Sequence, residues 1–127
     1  MGTRYFFTDI GDLEAPYPPD SDGGLTPVEN IAATSYALTG GEGGECLNFT
    51  AATAITLTIP PDTDVDFEIG TTIVVIQGGA GAIAFTAGAG VTLNSFNSAT
   101  QSGGQFAGAS LLKTAADTWL LSGNLTT

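Results

Sequence analysis

The chain has 127 residues, enough for one hydrophobic core and not two; it is 43% hydrophobic and 12% charged, with 13 acids against two bases. Neutralising phosphates or anionic headgroups takes several Lys or Arg on one face, so a net charge of −11 with Arg4 and Lys113 alone argues against nucleic acid and membrane as partners. No histidine is present and Cys46 is the single cysteine, so a His-paired nucleophile and an intrachain disulfide are excluded; no catalytic residue, metal or cofactor is expected.

Residues 1–30 read as an extended N-terminal arm. Pro16, Pro18, Pro19 and Pro27 each fix φ and remove a backbone donor, and Asp9, Asp12, Glu14, Asp20, Asp22 and Glu29 are spread among them. Tyr5, Phe6, Phe7, Ile10, Leu13 and Tyr17 give the arm more apolar surface than a solvated tail carries. Those six are the candidate partner-binding residues, docking either on their own domain or on a neighbouring subunit. The opening MGTRYFFTDIGD has one Arg and then acids, which is not the layout of a secretory signal. No window approaches the ~20 apolar residues of a membrane-spanning helix, so a soluble protein is expected.

Residues 31–127 read as an all-β domain, a small β-sandwich or barrel of eight or nine short strands. ATSYALTGG and CLNFT flank a GEGGE turn, and Cys46 is expected as a small buried hydrophobe. In AITLTIPPD, Ile55, Leu57 and Ile59 alternate with Thr56 and Thr58, the period of a half-buried strand, which Pro60 and Pro61 stop. TTIVVIQ has no polar break from Ile73 to Ile76 and is expected to be buried on both faces, either inside a sandwich or against another subunit. Gly78, Gly79 and Gly81 then turn the chain so that AIAFT pairs back, and VTLN adds another strand. SLLK and DTWLL fit a hairpin turning at Ala115 to Asp117, with Trp119 in the core.

Asp62, Asp64, Asp66 and Glu68 alternate as calcium ligands do. An EF-hand loop, however, needs a glycine at its sixth position and a glutamate at its twelfth, where this chain has Phe67 and Ile73. An exposed acidic edge, with Val65 and Phe67 facing inward, accounts for the same pattern. Facing carboxylates for glycoside hydrolysis would need a cleft that so small a domain rarely offers.

The ordered set IGTTIVVIQ, AGAGVTLNS, SLLK and DTWLLSGNL resembles a small β-domain that recurs in virion proteins of tailed bacteriophages, both fibres and head-decoration proteins. The resemblance covers roughly half of the chain. It implies a structural protein located in the virion and assembled as a homotrimer. The first expectation is a decoration protein that binds the major capsid protein and stabilises the outer capsid. The alternative is a tail or head fibre protein that binds a host receptor.

Overall fold

The computed structural model describes residues 25–127. Among these residues eleven strands form two sheets: β1 (Val28–Ile31), β2 (Ser35–Ala37), β3 (Cys46–Phe49), β4 (Ile55–Ile59), β5 (Thr72–Gln77), β6 (Ile83–Ala87), β7 (Thr92–Ser95), β8 (Gln101–Ser102), β9 (Gly108–Ala115), β10 (Thr118–Gly123) and β11 (Leu125–Thr126). One sheet runs β1-β3-β5-β9-β10-β7 and the other β11-β8-β6-β4-β2. The expected all-β sandwich is therefore the observed class, with more and shorter strands than the sequence suggested. The expected arm falls largely outside the described residues, and β1 already begins at Val28, inside the 1–30 segment assigned to it.

The connectivity differs from a stack of hairpins. From β1 to β9 each strand crosses to the opposite sheet, so β1, β3 and β5 pair in parallel on one side and β2, β4 and β6 on the other. This is a short flattened coil. Its last two turns keep one step: Cys46 aligns with Val74 and Ile55 with Ile83, 28 residues apart in both sheets. AIAFT accordingly does not pair back on TTIVVIQ. The glycines between them carry the chain around a corner into the other sheet, where β6 pairs with β4.

The antiparallel part closes the coil. β9 pairs with β5 and β10 with β9, the expected hairpin turning through Ala116 and Asp117. Asp117 takes a left-handed φ of 50°, which an Asp tolerates in a tight turn.

Alternation sets the core. Leu47, Phe49, Ile73, Val75, Leu111, Trp119 and Leu121 from the larger sheet meet Ile55, Leu57, Ile59, Ile83 and Phe85 from the smaller one, all buried. Trp119 lies in the core as expected, edge-on to Phe67 with ring centroids 5.4 Å apart. TTIVVIQ is covered on one face only within the described residues. Ile73, Val75 and Gln77 are buried, while Val74 and Ile76 are only half-buried on the outer face, because no second layer covers that side among the described residues.

Candidate interaction surfaces

The polar groups that the fold buries are tied into structural bonds. Lys113 is 2% exposed, and its ammonium donates to Asp62 Oδ1 at 2.7 Å, to Asp66 Oδ1 at 3.4 Å and to the Phe67 carbonyl. Asp62 and Asp117 exchange backbone-to-carboxylate bonds of 2.7 and 3.1 Å. The cluster therefore pins the β4–β5 connection to the β9–β10 turn. Its charge state follows from its neighbours. The hydrogen bond from Lys113 holds Asp62 below the usual carboxylate range; burial pulls Lys113 down, but Asp62 and Asp66 more than offset it and leave its pKa raised.

This arrangement corrects the reading of 62–68 as a plain exposed edge. Asp62 is half-buried in an ion pair, Asp64 and Asp66 are exposed, and Val65 and Phe67 face the core as expected. The ammonium of Lys113 stands where a bound cation would meet Asp62 and Asp66. Among the described residues no group of three His, Cys, Asp or Glu side chains is placed to hold a metal ion.

Another acid, Glu42, is buried outright and lies in a cradle that the sequence did not reveal. It accepts from Tyr36 Oη at 2.6 Å, Thr39 Oγ1 at 2.8 Å, the Thr39 amide at 2.9 and 3.0 Å, and the Gly40 amide at 3.0 Å. Burial alone would raise its pKa, but the bonds from Tyr36, Thr39 and Gly40 outweigh it and lower the value. The same contact, with burial as the larger cause, pushes the Tyr36 phenol up to about 12. A carboxylate with a depressed pKa contributes stability that is present above its unfolded pKa of ~4.3 and is lost as pH falls through the folded value. Glu42→Gln should thus lower the Tm at pH 7 and flatten its fall below pH ~4, as thermal melts across pH will read. An unchanged acid limb would rule out the cradle.

At the opposite end, Ser102 Oγ donates to Gln77 Oε1 at 2.6 Å and accepts from the Ile83 amide at 2.7 Å, joining the two sheets through buried polar atoms. Cys46 is a buried free thiol, as expected, with its pKa raised by burial.

Charge is distributed by pole. Glu42, Glu45, Asp62, Asp64, Asp66, Glu68 and Asp117 all lie in the connections at the end where β3, β5 and β10 begin. The loops of the other end, 32–34, 50–54, 78–82, 96–100 and 103–107, carry no charged side chain. That neutral pole instead exposes Phe96 and Phe106, 84% and 75% accessible, with Phe106 held at a φ of 71° that bulky residues rarely adopt. A cleft of about 330 Å³ lies beside Phe96, lined also by Ala99, Leu121, Gly123 and Leu125.

The outer faces of the two sheets also differ. Register and alternation place Val28, Cys46, Val74, Ile76, Leu112 and Leu120 outward on the six-stranded sheet, separated by Asn, Ser and Thr and by no charge. Val28 is 61% and Leu120 39% exposed. The smaller sheet shows Thr56, Thr58, Ala84 and Thr86 instead. No family model, curated protein or solved structure matches the chain.

The six candidate contacts in the arm, Tyr5, Phe6, Phe7, Ile10, Leu13 and Tyr17, lie outside the described residues. The extension of the apolar face of TTIVVIQ over the neighbouring strands, and the neutral pole, went unread in the sequence. The signal for the first was present in the uncharged alternate positions of TTIVVIQ, SLLK and TWLLS, but it emerges only when the register places those strands side by side.

Proposed function

We propose that the chain is a non-catalytic structural protein of a tailed-phage virion, a head-decoration protein that seats on the outer capsid as a homotrimer and binds the major capsid protein. The observation that supports a docking role is the neutral pole. Two exposed phenylalanines sit on an uncharged end of a strongly acidic molecule, so a protein surface can be covered there without desolvating any charged side chain. The virion itself comes from the resemblance of the ordered strand set. In this reading Tyr5, Phe6, Phe7, Ile10, Leu13 and Tyr17 add contacts across neighbouring capsid subunits, and binding stabilises the shell by mass action. The same exposed phenylalanines suit the tip of a fibre facing a receptor, which is the second reading.

Copy number separates the two. Quantitative mass spectrometry of purified virions should find hundreds of copies for a decoration protein and a dozen or so for a fibre; none would refute both. Removing residues 1–20 should weaken binding to undecorated heads, and unchanged binding would remove the arm from the mechanism.

A further inference from the structure

We propose that the outer face of the six-stranded sheet is the seat of the chain's own residues 5–17 in the free protein. The inference stands independently of the virion reading, which would require only that the segment leave this seat for a neighbouring subunit during assembly.

The face has the chemistry of a buried surface. Leu112 and Leu120 are direct cross-strand neighbours, Val74 lies diagonally from Leu112 across β5 and β9, Cys46 and Val28 continue the row of Val74 to the edge strand, and no outward position on the six strands bears a charge. The hydroxyl-rich outer face of the smaller sheet has no need of cover, whereas this one does.

Reach and tether select the occupant. The described chain enters at Leu25, three residues before Val28 on the edge of this same face. Upstream, Tyr5, Phe6, Phe7, Ile10, Leu13 and Tyr17 place six large apolar side chains within thirteen positions. Extended, those thirteen residues span up to roughly 43 Å, ample to cross six strands spaced ~4.8 Å apart. Asp9, Asp12 and Glu14 would meet no like charge on that face, since the register turns Glu29 of β1 to the side of Leu47 and the other acids of the described domain lie in the connections at one end.

Size argues against the face closing on a second copy. At roughly 24 Å by 20 Å it offers about 500 Å² per molecule, short of the ~800 Å² per partner of a stable interface. A tethered segment faces no such threshold, because the linker supplies an effective concentration of order millimolar.

Chymotrypsin tests the seat on the full chain, through cleavage after Tyr5, Phe6 and Phe7 followed by fragment mass; Pro18 blocks the bond after Tyr17. Leu120→Asp puts a charge in the middle of the face and should speed these cuts about tenfold, the equivalent of ~1.4 kcal/mol of lost docking. Thr86→Asp, on the other sheet, should leave them at the wild-type rate. Trp119 emission reports whether the fold survives, and Leu112→Ser replaces Leu120→Asp if it does not. Equal rates in wild type and the face variant overturn the proposal. Protection that fades on dilution also overturns it, by assigning the occupant to a second molecule.

Discussion

Trp119→Ala should be the most damaging single truncation in the domain, lowering stability by about 3–5 kcal/mol. The indole is 1% exposed, lies between the sheets and meets Phe67 edge to face. Its removal leaves a cavity that rigid strands on both sides cannot fill, so the transfer and cavity costs add. Against a total of roughly 5–15 kcal/mol for a domain, much of the stability is spent, and the Tm should fall by about 15 °C or more. Trp119→Phe keeps most of the contact and should cost far less. A melting temperature within a few degrees of wild type for Trp119→Ala would mean that the two sheets do not pack as described.

The second large effect is expected where no side chain exists. Gly81 rounds the corner between β5 and β6, and a Cβ there would lie 1.9 Å from the Thr53 carbonyl oxygen and 2.6 Å from its carbon. These are backbone atoms of the preceding coil turn, itself anchored by the 3.0 Å bond from the Gly81 amide to the Ala51 carbonyl. Neither layer can yield without breaking the stacking of corners, so Gly81→Ala should cost about 3 kcal/mol, the upper end of overpacking. Gly108→Ala is the control, with open space around the added methyl and an expected change within ~0.5 kcal/mol. Equal denaturant midpoints for the two variants would show that the corners are not in contact.

The fold class was legible because alternation is local: Ile55, Leu57 and Ile59 announce a half-buried strand, and the SLLK and DTWLL pair lies close enough in sequence to be read as a hairpin. The pairing of the other strands was not, since nothing between Gln77 and Ile83 distinguishes a turn within one sheet from a corner between two. The 28-residue step relates Leu57 to Phe85 and Phe49 to Gln77, substitutions that leave no visible repeat. Lys113 shows the same limit. Its partners are about fifty positions away, and only the register of β9 against β5 brings the ammonium to Asp62. Glu42 looked like one more acid in a glycine-rich turn, although the turn in fact closes around it.

The coil also fixes how the chain must find its structure. Its central parallel pairs join residues 18 to 28 positions apart, as between Val28 and Cys46 or Ile55 and Ile83, with an intervening strand that must already lie across the gap. Such contacts cost loop entropy before they return any burial. Among the described residues the β9–β10 hairpin is the one long strand pair closed by a two-residue turn, so it is the expected first structure, with β5 docking next on its free edge. The remaining turns of the coil should then add outward toward β1, an order that φ-values high in β9–β10 and near zero in β1 would bear out and a uniform set would refute. The architecture that gives a rigid two-faced scaffold thus makes for a slow, ordered acquisition of shape, on the millisecond-to-second scale of non-local β topologies.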